Sequence, residues 1–387
     1  MGRGKLRRPP QFGPAHRLLR SSPRRARRPR GRARGQPRGV IYFDVTQTGA
    51  AAARSGLTRV NRRLLAEFGP AAVPAVWRDG TLRRADNAAP VVPGAADWFL
   101  TAELFSEAER PGFAAFLAAR RLRCAALFHD AIPLKHPHIT WPKSVARHPA
   151  YLKQLAAFDR IFAVSAASRD ELLGYWRWLG LATVPPVAAV ALGADAAGTP
   201  RITVPVTPPA PPQLLCLGIV EPRKNQALLL AACAALWREG RAFELHVVGR
   251  MNPHFGRPIV AALEKLRAEV GPRLVWHAAA DDAAVAARLA AARATVFPTL
   301  AEGCGLPLLE SLWHGVPCVC SDLPVLRENA DAGGCLAVPV GDVAAWTAAL
   351  RRILADDTLH RDLAAAAVAR PLPTWADTAA QIRSALR

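Results

Sequence analysis

At 387 residues and 51% apolar side chains, the chain is too hydrophobic for an unstructured protein and too long for one ordinary core, so it suits two domains of roughly 150 to 200 residues each. No run of 18 or more uninterrupted apolar residues occurs, which argues against a membrane-spanning helix. The formal net charge of +21 would suit a nucleic-acid binder, but residues 1–38 hold 14 Lys and Arg and no acid, and subtracting 14 leaves +7 for the remaining 349.

That first stretch, GKLRRPPQFGPAHRLLRSSPRRARRPRGRARGQPRG, is full of Pro, Gly and Arg with almost no apolar periodicity. Residues 1–38 therefore read as a disordered basic tail. The tail is a plain solvated segment (or upstream sequence translated from a GC-rich gene), a polybasic patch for anionic lipid at about 1 kcal/mol per cation, or an arm for nucleic acid. It lacks the apolar core of a secretory signal. Seven cysteines occur without any C-x-x-C, and Cys216, Cys318, Cys320 and Cys335 lie in apolar strand-like runs. The expectation is reduced, buried thiols in a cytoplasmic protein.

Past the tail, short apolar runs alternate with segments of helical period, the pattern of parallel sheets covered by helices. VIYFDV (40–45), CAALFH (124–129) and RIFAVS (160–165) read as strands, and Gly56 to Phe68 as the first helix, with Leu57, Val60, Leu64 and Leu65 on one face. Then VPVTPPAPPQ (204–213) is too rich in proline for a central strand or helix. It is the expected linker, with one domain over 39–204, the linker over 205–213 and a second domain over 214–387.

The alternation then restarts. Strands LLCLGIV (214–220), FELHVVG (243–249), RLVWHA (273–278), ATVFPT (294–299) and PCVC (317–320) are separated by helices near 225–239, 258–269, 282–292 and 305–314. The fold class is α/β, with two doubly wound Rossmann-like domains facing each other across a cleft. Ligands of such domains bind at the carboxyl ends of the strands.

The stretch LAEGCGLPLLESLWHG (300–315) carries the chemistry. Glycine costs about 1 kcal/mol in a helix interior, so Gly303 and Gly305 imply a loop whose backbone approaches a ligand closely. Glu302 lies in that loop; Glu310 lies one to two turns into the helix that follows. The first N–H groups of this helix and its positive dipole end suit an anion, and carboxylates suit sugar hydroxyls. In EPRKN, Arg223 and Lys224 stand just before a helix, where the dipole disfavours solvated cations. That conflict points to an anionic ligand, bound by Arg through a planar fork and by Lys as a point charge.

Together EGCGLPLLE, EPRKN, VVGR, LFHDAIPLKHP and FAVSAASRDEL resemble, in order and spacing, the retaining nucleotide-sugar-dependent glycosyltransferases of family 4, whose signature is E-x7-E. The resemblance runs from about Val40 to the end of the chain. It implies a GT-B fold, with the donor bound mainly by the second domain, the acceptor by the first, and the last helix packing back on the first domain. Glu302 would hold donor-sugar hydroxyls with the backbone of Gly303, Cys304 and Gly305, with Thr299 and Leu306 also in contact with substrate. Glu310 would accept from the ribose diol, and Arg223 and Lys224 would bind the diphosphate. His129 matches the cleft histidine near the reacting sugar, and ARSGLTRV (53–60) the loop that brings Gly56 near the diphosphate. Many relatives have Phe in place of Cys304, and some carry an Arg where this chain has Gly218. The pattern with SLWHGVPC most resembles bacterial mannosyl- and rhamnosyltransferases of surface-polysaccharide assembly.

The same resemblance implies retention of configuration, with the departing diphosphate accepting the acceptor's proton and fixed positive charge as the main catalytic term. No D-x-D occurs, so neither a metal-bridged diphosphate nor any cofactor is expected. The leading donor is GDP-mannose, and the acceptor a glycan or polyprenyl-linked oligosaccharide at the inner membrane face, with the tail assisting a peripheral contact with anionic lipid. Asp130 either orients His129 or caps a turn. His136, His138 and His148 fit no metal spacing and read as polar loop residues, and Trp176 and Trp178 as core. Two alternatives stand: a non-transferase GT-B enzyme such as a nucleotide-sugar epimerase or a phosphorylase, and a nucleic-acid binder acting through the tail. The folded part lacks the basic and aromatic interleaving of the latter, so no nucleic-acid partner is expected.

Overall fold

A computed structural model describes residues 39–49, 56–195 and 199–387. The basic tail and residues 50–55 lie outside the described residues. The first sheet contains β1 (Ile41–Asp44), β2 (Ala72–Arg78), β3 (Thr81–Arg84), β4 (Trp98–Thr101), β5 (Arg123–Phe128), β6 (Arg160–Ala163) and β7 (Val187–Ala189). Their order is β3-β2-β1-β4-β5-β6-β7, and every pairing is parallel except β2 with β3. β2 and β3 form a hairpin whose two linking residues, Asp79 and Gly80, both have positive φ (51° and 73°), as a two-residue hairpin turn requires.

Helices α1 (Gly56–Phe68), α2 (Phe113–Ala118), α3 (Ile132–Lys135), α4 (Pro142–Leu155) and α5 (Ala166–Trp178) accompany this sheet. In α1, Val60, Leu64 and Phe68 are buried at intervals of four, which places them on one face. Strands β1 and β4 are buried at every residue, the burial expected where helices cover both faces of a parallel sheet.

The second sheet is wholly parallel: β8 (Gln213–Leu217), β9 (Glu244–Val248), β10 (Leu274–His277), β11 (Ala294–Phe297), β12 (Cys318–Ser321) and β13 (Cys335–Val338), in the order β10-β9-β8-β11-β12-β13. Its helices are α6 (Gln226–Arg238), α7 (Arg257–Val270), α8 (Asp282–Ala291), α9 (Leu306–Trp313), α10 (Pro324–Ala330), α11 (Val343–Ala355), α12 (Asp357–Ala369) and α13 (Trp375–Ala385). The strand order, renumbered from one within the sheet, is the doubly wound 3-2-1-4-5-6.

Two features tie the halves together. Helix α13 returns to the first half: Ile382 shares a buried cluster with Phe43, Leu64 and Phe68, and Thr378 Oγ1 donates to Ala191 O at 2.8 Å. The same cluster joins Leu127 and Phe162 of the first half to Leu308 and Leu326 of the second. All seven cysteines are free thiols, six of them buried. Among the described residues no helix is long and apolar enough to cross a membrane.

Candidate active site

The order of the second sheet reverses between β8 and β11. The carboxyl ends of these two strands flank the crevice position at which doubly wound folds take their ligands. Both charged elements come from these loops. A single 3-10 turn, Pro222–Lys224, follows β8, and the segment 298–305 follows β11.

The two loops meet at one carboxylate oxygen. Glu302 Oε1 accepts from Lys224 Nζ at 2.5 Å, from Arg223 Nη1 at 2.9 Å and from Thr299 Oγ1 at 2.7 Å. Arg223 also donates to Ala301 O at 2.9 Å, and through Nε to Glu221 Oε1 at 3.0 Å. Asn252 Nδ2 holds the other oxygen of Glu221 at 2.8 Å. Backbone locks the pair of loops in register, since Leu300 N donates to Arg223 O at 2.8 Å.

Burial pushes the Glu302 carboxyl up, but the charges of Lys224 and Arg223 and the hydrogen bonds from Lys224 and Thr299 outweigh it and hold the group below the usual carboxylate range. Glu302 is thus an anion fixed beside two cations. Arg223 and Lys224 are therefore not solvated charges at a helix start: Glu302 pairs with both, and Glu221 with Arg223. Lys224 makes one hydrogen bond among the described residues, and an ammonium has three N–H groups. Its Nζ also lies 4.7 Å from the centroid of the Phe297 ring.

Glu310 projects from α9 toward the first half, where it pairs with Arg59 of α1. Burial pushes its carboxyl up, against the opposing pull of Arg59 and His314. Its environment is the reverse of that of Glu302. Arg59 lies inside ARSGLTRV, so the segment singled out for Gly56 also contributes a cation. Gly56 itself is exposed at the start of α1, with no atom within 4 Å of where a Cβ would stand, and residues 50–55 before it lie outside the described residues.

His129 follows β5 and faces the crevice from the first half. Its Nε2 lies 2.8 Å from Ala102 O; a carbonyl only accepts, so this nitrogen carries the proton and Nδ1 keeps the lone pair. Burial lowers the ring's pKa below its ordinary value, opposed by that hydrogen bond and by Asp130. Asp130 Oδ1 accepts from Ile132 N at 3.0 Å, which closes the turn into α3. Also in the first half, Arg110 bridges the buried carboxylates of Asp44 and Glu103, each at 2.7 Å. Glu103 in turn accepts from the backbone of Gln47 and Thr48, holding the loop that leaves β1.

The remaining predicted residues surround Glu302. Thr299 is fully buried. Gly303 packs on His129, and an added Cβ would stand 2.4 Å from His129 O. Cys304 is buried, with its carbonyl 3.4 Å from Asn329 Nδ2. Gly305 caps α9 at φ 86°, and Leu306, half-buried, opens the helix. At Gly218 φ is 136° and a Cβ would meet the stem of Lys224 at 3.4 Å. This backbone favours glycine.

Two expectations fail. His148 is no loop residue: it is buried in α4, its Nε2 3.1 Å from Asp130 O. Trp176 is core, 1% exposed, but Trp178 is 78% exposed, because α5 turns that side outward two residues later. Sequence reasoning also missed Arg59, Glu221, Ser165 and Ser168. All four lie inside segments already singled out by motif, but their partners are distant in sequence or, for Glu221, fixed by the turn. Among the described residues no group of three or more His, Cys, Asp or Glu is arranged to hold a metal.

The architecture is GT-B. Residues 211–356, within the second half, match the family described as glycosyl transferases group 1. The chain is similar to the serotype-specific mannosyltransferase WbdA of Escherichia coli, 29% identical over 328 residues that cover 75% of this chain and 38% of the relative. It therefore spans well under half of that relative's length. Among solved structures it resembles sucrose-phosphate synthase from Thermosynechococcus elongatus, with a TM-score of 0.66 at 19% identity over 90% of this chain and 98% of the other. It also resembles HepE of Anabaena in complex with UDP and glucose, with a TM-score of 0.64 at 13% identity over 90% and 99%.

Proposed function

We propose that the protein is a retaining glycosyltransferase of family 4 that moves mannose from GDP-mannose to a glycan or polyprenyl-linked acceptor. The observation that carries this reading is the meeting of Arg223, Lys224 and Glu302 at the reversal point of a group 1 glycosyltransferase domain. The name of WbdA, a mannosyltransferase, supports mannose as the sugar.

In this reading the diphosphate lies against Arg223 and Lys224, whose N–H groups stabilise negative charge as the sugar leaves. Glu302, kept ionised by the same cations, faces the sugar hydroxyls with Thr299 and the Gly303–Leu306 backbone around it. Glu310 accepts from the ribose diol, exchanging Arg59 for two hydroxyl donors. His129 presents an unprotonated Nδ1 near the reacting sugar from the first half, where the acceptor binds. The proton of the acceptor hydroxyl passes to the departing diphosphate oxygen on the same face, which retains configuration. The protein works on the cytoplasmic side, at the inner face of the membrane.

The test is incubation with GDP-mannose, UDP-glucose, UDP-N-acetylglucosamine and dTDP-rhamnose, with and without oligosaccharide acceptors, followed by NMR of the product anomer. Acceptor-dependent α-mannosylation supports the proposal. Donor turnover that needs no sugar acceptor favours an epimerase or a phosphorylase instead, and a β-linked product contradicts retention.

A further inference from the structure

The corner between β6 and α5 grips the Glu302 loop from the opposite side of the crevice. Ser165 Oγ donates to Gly303 O at 2.7 Å while accepting from Ser168 N at 3.0 Å, so its single proton is committed across the crevice. Ser168 Oγ lies 2.9 Å from His129 O and 3.0 Å from Gly303 O. One hydroxyl proton thus sits between carbonyls of the two halves. Gly303 tolerates this only because it has no side chain, a Cβ there falling 2.4 Å from His129 O.

A second contact closes the same corner. Both oxygens of Glu328, on α10 of the second half, accept from the first free N–H groups of α5: Ala166 N at 2.8 Å and Ala167 N at 2.7 Å. A carboxylate at a helix N-terminus satisfies orphan donors and the dipole together. Of the contacts in this corner, those through Ser165 Oγ, Ser168 Oγ and Glu328 run from the first half to the second.

We propose that Ser165, Ser168 and Glu328 are positioning residues, a clasp that holds Gly303 against His129 and so fixes where Glu302 stands relative to the first half. The inference rests on the transferase reading and deepens it. The clasp touches neither the diphosphate cations nor Glu310, so loosening it lowers the rate of the chemical step and leaves nucleotide recognition intact. Displacements of about 1 Å around a reacting centre cost up to a hundredfold in rate.

The experiment compares wild type with Ser168→Ala, Glu328→Ala and Glu328→Gln by hydrogen–deuterium exchange, melting temperature and steady-state transfer. Glu328 is exposed, so its variants fold, and Gln keeps one acceptor oxygen. Expected are faster exchange over 300–306 and at the start of α5 in Ser168→Ala and Glu328→Ala, and kcat down about ten- to a hundredfold with donor KM within about threefold. Glu328→Gln should recover part of the loss. Unchanged exchange overturns the clasp. Faster exchange with unchanged kcat overturns its positioning role, as does a loss confined to melting temperature. Exchange needs no substrate, so a wild type that turns over no nucleotide sugar would overturn the transferase reading while exchange alone still decides whether the clasp exists.

Discussion

Lys224 Nζ lies 2.5 Å from Glu302 Oε1, and the two side chains are 9% and 10% exposed. Removing the carboxylate leaves a buried ammonium and a guanidinium with less counter-charge, which typically costs about 3 kcal/mol. Glu302→Gln should therefore lose roughly that stability in urea unfolding at pH 7, with transfer down at least about a hundredfold. A variant as stable as wild type would mean that the pair is not formed in solution.

Glu310 should behave in the opposite way. Its partner Arg59 is 46% exposed and solvates freely when the pair is lost, so Glu310→Gln should change stability at pH 7 by no more than about 1 kcal/mol. The two glutamates also differ in the sign of their pH dependence. The carboxyl of Glu310 is raised by burial, so its contribution to stability is present below the unfolded value and lost as pH rises through the folded one. That of Glu302 is depressed by Lys224 and Arg223 against burial, so its contribution is present above the unfolded value and lost as pH falls through the folded one. Urea titrations at pH 7, 5 and 4 should show the wild type gaining on Glu310→Gln as pH falls, and its lead over Glu302→Gln holding to pH 5 and shrinking below the ordinary carboxylate range.

His129 should titrate below its ordinary value of 6.5, because burial lowers it. Its neutral form should carry the proton on Nε2, held by Ala102 O. NMR of ring-labelled protein checks both. As the folded value is depressed, protonation binds more strongly to the unfolded chain, and this residue's contribution to stability falls away as pH drops below about 6.5.

Arg110 is 1% exposed and bridges Asp44 and Glu103, both fully buried. Burial, with the charge of Asp44, already pushes the Glu103 carboxyl up. Arg110→Met removes the shared counter-ion and should cost about 3 to 5 kcal/mol, with part regained in Arg110→Met combined with Glu103→Gln. Unfolding in urea measures both.

Where the pattern was local, the sequence could be read. Short, mainly apolar runs marked β1, β5, β6 and five of the six strands of the second sheet, and glycines at 303 and 305 marked the loop before α9. Pro74 hid β2, since a proline argues against a strand between two neighbours; it fits because its missing N–H would face the β3 side beyond the last pair Ala75↔Arg84, where its carbonyl accepts from Ala85 N at 2.9 Å. The Asp79-Gly80 pair is itself a local hairpin signal. Short WFLT (98–101) and VAA (187–189) are too brief for periodicity to identify. At the site, the roles of charges were legible but their partners were not. Nothing local to EPRKN says that Glu302 neutralises Lys224, and nothing local to α9 says that Arg59 meets Glu310, because those pairs form only when both sheets are assembled.

The most direct test of the account is calorimetric binding of the four nucleotide sugars to wild type, Arg223→Ala and Glu310→Ala. The account predicts that GDP-mannose binds wild type in the micromolar range, and that each variant weakens it about ten- to a hundredfold, the loss of one charge-assisted contact of roughly 1.5 to 3 kcal/mol. Folded protein that binds no donor, or variants that bind as tightly as wild type, would contradict it.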